Sequence, residues 1–378
     1  MGIPGRSRPN DPRGSGGTLI DDSIQRLRDE IDAIDAQVVA LLQSRARAAQ
    51  RIGEAKADGA RPTYVPARER QVIEHVQQLA SDGPLTAGHV STIFREIISA
   101  CRSVERPLRV GYFGPAATFT HQAAIERFGA ETDLVAIDTI AEVFADTEHG
   151  RLDFGVVPVE NSTEGPVHPT LDSLVEHEVR VCSEIVLPIS MQLMARVPRE
   201  EIQTLYSIPI ALAQCRGWVA RNLPGRAIVD VSSTARAAMM AAEDPTGAAI
   251  GPRLAADQYG LSVVDQDIQD LASNYTRFYV IAAAAAGEPS GRDKTAIVFS
   301  IRDRVGALRD AADVFARRGI NMSSIQSRPS RQRAWNYVFF IELAGHEGDG
   351  VLTEALEELR SQCVFLRVLG SWPVEPSA

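Results

Sequence analysis

A seven-residue repeat of apolar positions runs through the first part of the chain. Ten positions from Ile24 to Ala55 fall on this repeat, and nine of them are apolar or alanine. This is the pattern of a long helix that packs against partner helices. The tenth position is Arg45, whose charge cannot be neutralised at working pH. Because an unpaired charge in such a seam is costly, the pattern predicts a partner opposite Arg45.

Three helices are predicted over about 20–106. The first is capped by Asp22 or Ser23 and ends near Ala57. At ~1.5 Å per residue it is about 50 Å long, too long to be covered by two short helices of the same chain. A dimer that shares the long helices is therefore expected. The other two helices are predicted over about 66–79 and 86–105.

Short apolar strands alternate with helices from about 107 to 287, which is typical of an α/β region. Strands are predicted over Leu108–Phe113 and Phe154–Val159, each followed by a turn. The length suits two subdomains around a cleft, as in periplasmic binding proteins. Ligands of such folds bind at the carboxyl ends of the strands.

The rest of the chain divides into a leader, a linker and a third domain. Residues 293–371 read strand, helix, strand, strand, helix, strand, which is the ferredoxin-like α+β order. Its strands are predicted over Thr295–Ile301, about Asn321–Ser327, Trp335–Leu343 and Val364–Leu369. Residues 283–292 are predicted to be a linker, and residues 1–19 a disordered leader rich in glycine, proline, serine and arginine.

Composition narrows the class of protein. With 378 residues, 44% hydrophobic and 23% charged, roughly two or three globular domains are expected. The net charge of −10 argues against nucleic acid or an anionic membrane as the main partner. No apolar stretch approaches the ~20 residues of a membrane span. The four cysteines have no paired spacing and the histidines no metal-ligand spacing, so we expect a soluble cytoplasmic protein without a metal site.

The charges of the helical block are the first candidates for chemistry. Arg45 and Lys56 are eleven residues apart, so at ~100° per residue they point in nearly the same direction. Arg28 points about 100° away from Arg45, so one straight helix cannot bring all three to one site. In a dimer, Arg28 of one chain and the other two of its partner would enclose a small dianion. The alternative is that Arg45 extends into solvent from the end of the apolar seam, and that Arg28 and Lys56 are solvated surface charges.

Four runs in this block resemble the all-helical chorismate mutase family. They are Leu27-Arg28-Asp29-Glu30-Ile31-Asp32, Leu41-Leu42-Gln43-Ser44-Arg45, Ile52-Gly53-Glu54-Ala55-Lys56 and Arg68-Glu69-Arg70. The resemblance implies that Arg45 and the Arg28 of the other chain hold the two substrate carboxylates. It implies that Lys56 and Glu105 hydrogen-bond the ether oxygen whose bond breaks, and that Glu69 contacts the ring hydroxyl.

The resemblance adds Arg68 and Cys101 as substrate contacts, although Cys101 stands where some members have serine. A pericyclic rearrangement needs no acid, base or nucleophile, because holding the reactive conformer and stabilising charge on the leaving oxygen suffice. Glu105 stands where some members have glutamine. A glutamate donates a hydrogen bond only when it is protonated, so mutase activity is expected to fall as the pH rises.

A second resemblance, to prephenate dehydratase, covers most of the α/β block. It rests on Gly114-Pro115, Thr118-Phe119-Thr120-His121-Gln122-Ala123, Val157-Pro158-Val159-Glu160-Asn161-Ser162, Gln214-Cys215, Ser233-Thr234-Ala235, Tyr259-Gly260-Leu261 and Asn274-Tyr275-Thr276-Arg277-Phe278. The resemblance implies that Thr276 is the residue most closely tied to catalysis and helps the ring hydroxyl to leave. The alternative is a threonine that only caps backbone where a strand begins.

The same resemblance implies a set of substrate-binding residues. They are Thr118, Glu160, Asn161, Ser162, Thr163, Gln214, Ser233, Thr234, Arg277 and Phe278. Loss of water and carbon dioxide aromatises the ring, so proton donation in a dry cleft suffices and no cofactor is implied. The chain departs from the family at Ile208 and Ile210, where a histidine and a glutamine are usual. Ala117 likewise stands where glycine is usual.

The last block resembles the ACT domain, an amino-acid-sensing module. Its effector positions are Gly306, Ala307 and Leu308 at a helix start, and Gln326, Ser327, Arg328 and Pro329 before the next strand. Gln326 replaces a usual glutamate and loses its charge, so feedback by phenylalanine is expected to be blunted. The alternative is that the domain serves only for dimerisation.

The order of the three blocks resembles the bifunctional chorismate mutase/prephenate dehydratases. The resemblance implies conversion of chorismate to prephenate and of prephenate to phenylpyruvate, with phenylalanine as effector and no cofactor. One alternative is a prephenate decarboxylase that does not aromatise its product. The other is a non-catalytic regulator that responds to phenylalanine, against which the arginines and lysine of the first block argue.

Overall fold

The computed structural model describes residues 16–57, 66–80, 82–284, 287–302, 304–329 and 337–374, with side chains from 22 to 55 in the first segment. Residues 1–15 of the predicted leader and the side chain of Lys56 therefore lie outside the described part of the chain. Three parts follow one another. They are a helical domain (16–105), a two-lobed domain (109–282) and a C-terminal domain (293–373).

The helical domain consists of α1 (Gly16–Ala57), α2 (Pro66–Leu79) and α3 (Ala87–Glu105). Pro66 occupies the first position of α2, where its missing N–H has no partner to lose. The hydroxyl of Thr86 accepts a hydrogen bond from the His89 amide, and the His89 ring accepts one from the Thr86 amide. This reciprocal pair satisfies two amides at the start of α3.

Helix α1 begins at Gly16, earlier than the predicted caps Asp22 and Ser23. No proline lies between these positions, so the helix continues back through them. The apolar seam of α1 is exposed in the single chain, from 42% for Ile24 to 70% for Leu41. Helices α2 and α3 therefore leave this seam uncovered.

The two-lobed domain has eleven strands and seven α-helices among the described residues. The strands are β1 (Arg109–Phe113), β2 (Asp133–Ile137), β3 (Phe154–Asn161), β4 (Gly165–Pro166), β5 (Arg180–Pro188), β6 (Gln192–Ala195), β7 (Thr204–Ser207), β8 (Ala227–Asp230), β9 (Gly247–Gly251), β10 (Ser262–Asp265) and β11 (Tyr275–Ala282). The helices are α4 (Phe119–Phe128), α5 (Ile140–Glu148), α6 (His168–Glu176), α7 (Pro209–Gln214), α8 (Arg216–Asn222), α9 (Thr234–Glu243) and α10 (Arg253–Tyr259), with a 3₁₀ helix at Arg199–Glu201.

Each lobe is built on its own sheet. The first sheet has the order β2-β1-β3-β11-β5, with β4 paired to β3, and the second has the order β10-β6-β9-β7-β8. The chain passes to the second lobe between β5 and β6 and returns between β10 and β11. Two such crossings join lobes that face one another across a cleft, so the predicted two-lobed α/β architecture is confirmed.

Strands β3 and β11 lie in the middle of the first sheet and are buried on both faces. Val156 and Val280 pack into the core with α4, whereas Val157 and Ile281 pack into a second core that also contains side chains of the C-terminal domain. Burial on both sides explains why these strands are nearly continuous apolar runs.

The C-terminal domain contains β12 (Asp293–Ile301), α11 (Ala307–Ala316), β13 (Met322–Pro329), β14 (Tyr337–Ala344), α12 (Gly350–Gln362) and β15 (Cys363–Pro373). Its antiparallel sheet has the order β13-β14-β12-β15, which confirms the ferredoxin-like prediction. Phe299 and Ile341 face the two helices, while Val298 and Phe340 face the first lobe. Strand β13 extends beyond the predicted end at Ser327, because its pairing with β14 continues to Pro329.

The helical domain is docked on the first lobe by polar groups. Ser99 and Arg102 of α3 both donate to the carbonyl oxygen of Phe128, at 2.7 Å in each case. Arg70 of α2 donates to the carbonyl oxygen of Val374, next to the C-terminal domain. None of the helices in the described segments has the length and apolar character that a membrane crossing requires.

Candidate active sites

Four side chains where the two lobes meet form a closed hydrogen-bonded ring. Asn161 ends β3, Thr163 follows it, Asn274 precedes β11, and Gln214 ends α7 of the second lobe. The donor–acceptor pairs are Asn161 Nδ2 to Asn274 Oδ1 (3.1 Å), Asn274 Nδ2 to Gln214 Oε1 (2.9 Å), Gln214 Nε2 to Thr163 Oγ1 (3.1 Å) and Thr163 Oγ1 to Asn161 Oδ1 (2.6 Å). The ring therefore ties the second lobe to the first.

The direction of every bond in the ring follows from the backbone. The amides of Thr163 and Glu164, which can only donate, lie 3.0 and 3.2 Å from Asn161 Oδ1. Asn161 Nδ2 must then face the other way, toward Asn274 and toward Thr276 Oγ1 at 2.8 Å. Since Nδ2 is a donor, Thr276 Oγ1 is the acceptor, and the hydroxyl hydrogen of Thr276 points away from Asn161.

Thr276 and Asn161 are direct partners in the pairing of β11 with β3. The neighbouring residues of the two strands are also hydrogen-bonded. The Tyr275 amide donates to Ser162 Oγ and the Ser162 amide donates to the Tyr275 carbonyl, both at 2.9 Å. The half-buried Thr276 is thus a fixed hydroxyl at the edge of the cleft. Such a group can donate to an oxygen that departs from a bound ligand.

Two helix starts carry further predicted residues. Thr118 caps α4 by accepting from the His121 amide, and Ser233 caps α9 by accepting from the Arg236 amide. Ala117 lies in one apolar cluster with Ala235 of α9, so these helix starts meet across the lobes. Thr234, the first residue of α9, is buried. Ala117 has a φ of 63°, the conformation for which glycine is favoured.

The isoleucines that depart from the resemblance lie at the start of α7. Ile208 precedes the helix and packs against the core, while Ile210 is 51% exposed. Gln214 at the other end of the same helix still reaches Thr163. The two substitutions therefore leave the hydrogen-bonded ring closed.

The structure does not bring Arg277, Glu160 and Phe278 to this group. Phe278 is buried in the core of the first lobe. Arg277 alternates with Thr276 along β11 and so faces the opposite side of the sheet. There it pairs with Glu160 and with two further glutamates.

In the helical domain, Gly53 of α1 lies against Glu105 at the end of α3. A Cβ added at Gly53 would come within 2.6 Å of Glu105 Cγ, so glycine permits this approach. Arg45 donates to the Ile97 carbonyl at a long 3.5 Å. Arg28 lies seventeen residues before Arg45 on one continuous helix, hence about 26 Å away. Helix α1 therefore meets α3 at two points, Arg45 at Ile97 and Gly53 at Glu105, while Arg28 lies far from Arg45 on the same helix.

Glu69 of α2 pairs with Arg102 of α3 at 3.1 Å, and both side chains are almost fully buried. Arg102 also donates to Phe128 of the first lobe. The carboxylate that the resemblance places on the ring hydroxyl is thus oriented by a residue bound to the neighbouring domain. Arg68 is exposed and donates to Gln71 at 3.4 Å.

The predicted effector residues lie at two places in the C-terminal domain. Gly306, with a φ of 80°, precedes α11, which begins with buried Ala307 and half-exposed Leu308. The others belong to β13, in the sequence Gln326, Ser327, Arg328 and Pro329. Arg328 reaches the first lobe and pairs with Asp172 at 2.7 Å.

Asn274 and Arg102 were missed as site residues by the sequence analysis. Asn274 is 2% exposed and opens the motif that contains Thr276, so the motif itself was the signal that could have pointed to it. Arg102 follows Cys101 directly, and its ion pair joins helices that are separate in sequence. Within the described segments, no three histidine, cysteine or carboxylate side chains cluster as metal ligands would.

Three family models match successive parts of the chain. They are chorismate mutase type II over residues 27–106, prephenate dehydratase over 110–286 and the ACT domain over 295–361.

Full-length relatives agree with this order. The bifunctional chorismate mutase/prephenate dehydratase of Aquifex aeolicus is 44% identical over 356 residues, which is 93% of this chain and 98% of that protein. A crystal structure of prephenate dehydratase from Arthrobacter aurescens in complex with L-Phe matches with a TM-score of 0.67 and 36% identity, over 72% of this chain and 92% of that one. GqqA, described as a novel type of quorum quenching acylase, matches with a TM-score of 0.65 and 25% identity, over 71% of this chain and 98% of that one.

Proposed function

The chain belongs to the family of bifunctional chorismate mutase/prephenate dehydratases, and we propose that it converts chorismate to prephenate and prephenate to phenylpyruvate at the two sites described above. The proposed domains are 20–106 for the first reaction, 107–287 for the second and 293–371 for regulation. The observation that carries the second activity is the hydrogen-bonded ring that orients Thr276.

The rearrangement of chorismate is assigned to the helical domain. One C–O bond breaks while one C–C bond forms, and no proton is gained or lost. Arg45 and the partner chain's Arg28 would hold the two carboxylates, and Lys56 with protonated Glu105 would donate to the ether oxygen. The approach of Glu105 to Gly53 supports this assignment, because Gly53 lies between Arg45 and Lys56 on α1.

The second reaction is assigned to Thr276. The bond between the ring and its carboxylate breaks to release carbon dioxide, and the electron pair enters the ring. The ring C–O bond then breaks, and the hydroxyl takes one proton and leaves as water. Thr276 would donate a hydrogen bond to that departing oxygen, since its own acceptor side is occupied by Asn161. Gln214, Ser233 and Thr234 of the second lobe would bind the rest of the substrate.

Similarity to GqqA shows that this fold can carry a differently described activity. The match to that protein is 25% over 71% of this chain, whereas the bifunctional relative matches at 44% over 93% and includes the helical domain. The two-step conversion of chorismate is therefore the function that we propose.

The test is to supply the purified protein with chorismate and, separately, with prephenate, and to follow the ultraviolet spectrum of the product. Phenylpyruvate from both substrates is the expected result. Accumulation of prephenate from chorismate would show that only the first site works. A non-aromatic, decarboxylated product from prephenate would indicate that the second site has been redirected.

Phenylalanine is the proposed effector. The ACT match and the L-Phe complex of the related dehydratase support this assignment. The binding residues would be Gly306, Ala307, Leu308 and the segment Gln326-Ser327-Arg328-Pro329. The ion pair between Arg328 and Asp172 would connect that segment to the first lobe.

A homodimer through α1 is also proposed. The exposed seam supports it, because eight large apolar side chains of α1 are at least 42% exposed in the single chain.

The four thiols are free in the structure, which agrees with a reducing compartment, and we propose the cytoplasm.

A further inference from the structure

Two adjacent pairs of residues on β3 and β11 face opposite sides of the same sheet. In the register of these strands, Thr276 is the partner of Asn161 and Arg277 is the partner of Glu160. Successive side chains of a strand point to opposite faces. The pair with Thr276 therefore faces the cleft, and the pair with Arg277 faces the C-terminal domain.

Arg277 is held by carboxylates from three strands. It donates to Glu160 of β3 at 2.9 Å, to Glu184 of β5 at 2.9 Å and to Glu342 of β14 at 2.5 Å. The last of these belongs to the C-terminal domain, and it also accepts from the hydroxyl of Tyr279 at 2.6 Å. All three of these hydrogen bonds of the guanidinium point away from the cleft.

Lys294 of β12 completes this group, which we name the Arg277 cluster (Arg277, Lys294, Glu160, Glu184 and Glu342). Lys294 lies 2.8 Å from Glu184, which is 2% exposed. Burial alone would raise the pKa of Glu184, but Arg277 and Lys294 together hold it below its usual value. Burial and the carboxylate of Glu342 raise the pKa of Tyr279, so its hydroxyl stays a donor. Glu184 is therefore a carboxylate, and Tyr279 a hydrogen-bond donor, at neutral pH.

The cluster also borders a small cavity between the two domains. The cavity has a volume of about 30 Å³ and is lined by Arg277, Tyr279, Glu342 and Gln326 among others. A space of this size holds one or two water molecules. Glu342 is moreover paired with Ser324 on β13, the strand that carries Gln326. One support of Arg277 therefore comes from β14, which is paired with the strand that carries Gln326.

We propose that Arg277 is a positioning residue for the dehydratase reaction, which holds the pair of Thr276 and Asn161 in place because Glu342 of the C-terminal domain holds Arg277. This inference rests on the proposed function of Thr276. It replaces the expectation from the resemblance that Arg277 binds a substrate carboxylate. To do so Arg277 would have to leave three carboxylates, two of them buried, which is costly for charged groups out of water.

The decisive variant is Glu342→Gln in the full-length chain. It keeps the shape of the side chain and reduces three carboxylates around two cations to two, so the charges of the cluster balance and folding is expected. A displacement of the Thr276 hydroxyl by a fraction of an ångström should lower kcat for prephenate about 10-fold, with KM changed by less than about 2-fold. The mutase activity of the same molecules should remain unchanged, because the helical domain does not contact Glu342.

Two further variants separate positioning from a general loosening of the domain contact. Glu347→Gln is the matched control, because Glu347 pairs with Arg180 between the same two domains but touches neither Arg277 nor β3. It should leave kcat for prephenate unchanged. Tyr279→Phe removes one bond to Glu342 and keeps its charge, so it should lower kcat in the same direction by a smaller factor.

The outcomes are distinct. Wild-type kcat in Glu342→Gln, or an equal loss in Glu347→Gln, would overturn the role of Arg277 and leave the proposed function intact. A loss that appears only in KM would restore Arg277 as a substrate-binding residue. If the unmodified protein forms no phenylpyruvate from prephenate, the proposed function of Thr276 fails independently of the variants. Should Glu342→Gln lose mutase activity as well, kcat for prephenate is compared between Tyr279→Phe and Glu347→Gln. A lower kcat in Tyr279→Phe alone supports the role of Arg277, and equal kcat values overturn it.

Discussion

Asn161 Nδ2 lies 2.8 Å from Thr276 Oγ1, and this bond links the last residue of β3 to the second residue of β11. The amide oxygen of the same Asn161 is occupied by two backbone amides and the Thr163 hydroxyl. The amide therefore cannot turn over without losing all of these partners. As a result, the direction of the Thr276 hydroxyl hydrogen is set before any substrate arrives.

Replacing Asn161 by Asp should abolish this arrangement. Aspartate has no donor for Thr276 or for Asn274, and its second oxygen would face the oxygens of both. We expect kcat for prephenate to fall on the order of 100-fold or more, as when one oriented donor is lost from an active site. The loss should appear in product formation from prephenate, while the conversion of chorismate to prephenate continues.

Asn222→Asp is the matched control for that variant. Asn222 also donates through its side-chain amide, to the carbonyl of Trp218 on α8, but it does not belong to the ring. Its replacement should leave both activities within about 2-fold of the unmodified protein, as for most surface changes. Wild-type dehydratase activity in Asn161→Asp would refute the assignment of Thr276.

The sequence located Thr276 and Asn161 but not the ring that holds them. The resemblance to prephenate dehydratase named both residues, and Asn161 also lies at the carboxyl end of β3, where an α/β sheet places its ligands. Gln214 closes the ring from the other lobe, and the contact depends on how the lobes meet. The resemblance assigned Arg277, the next residue in sequence, to the same site as Thr276. In a strand such neighbours face opposite sides, and the register that reveals this is a tertiary property.

Helix α1 was likewise predicted only in part. The seven-residue repeat predicted α1 and its apolar seam, and the exposed seam agrees with a shared helix. The start of the helix was predicted too late, because Asp22 and Ser23 are suitable caps that the structure does not use as caps. The partner of Arg45 was not predictable either, since a backbone carbonyl such as that of Ile97 has no sequence signal.

Glu105→Gln tests the proton that the mutase reaction requires. Glutamine donates a hydrogen bond at every pH, whereas glutamate donates only when protonated. The variant should therefore be at least as active a mutase as the unmodified protein between pH 5 and 9, and its rate should vary less with pH. The measurement is the initial rate of chorismate loss across this range. Equal profiles for the two proteins would remove Glu105 from the proposed mechanism.

Arg102→Leu should affect stability and the mutase reaction together. Glu69 would remain in a nearly dry position without its ion-pair partner, which typically costs about 3 kcal/mol in the free energy of unfolding. The mutase rate should also fall, because Glu69 would lose its orientation. Urea unfolding and chorismate turnover measure the two effects. Arg106→Ala is the control at the end of the same helix, since the Arg106 side chain is 62% exposed and its pair with Asp153 contributes less than about 1 kcal/mol.

His121 should make the two-lobed domain sensitive to mild acid. Its Nδ1 accepts from the Ala117 amide at 3.0 Å, and its ring stacks on Tyr112 at 4.6 Å between centroids. Burial lowers the pKa of His121 below its ordinary value of 6.5. Below about pH 6.5 the unfolded chain therefore binds this proton more readily than the folded one, and stability falls as the pH falls.

The comparison variant for this effect is His121→Gln. A glutamine oxygen can accept from the Ala117 amide but does not titrate, so the variant should lose less stability between pH 7 and 5.5. The melting temperature of each protein over that range is the measurement. If the two curves stay parallel, His121 does not contribute to the pH dependence.

Arg28 and Arg45 can serve one site only if it is built from two chains, because about 26 Å of helix separates them in one. Arg28→Ala and Arg45→Ala should each be inactive as a mutase. When the two variants are mixed and allowed to exchange subunits, half of the dimers are mixed, and each has one intact site. Activity should recover to about a quarter of that of the unmodified protein, as random pairing in a two-fold dimer requires. Mixing Arg28→Ala with the double variant should restore nothing, since no site then contains Arg28. Failure of the first mixture to recover, although the subunits have exchanged, would refute a site shared between two chains.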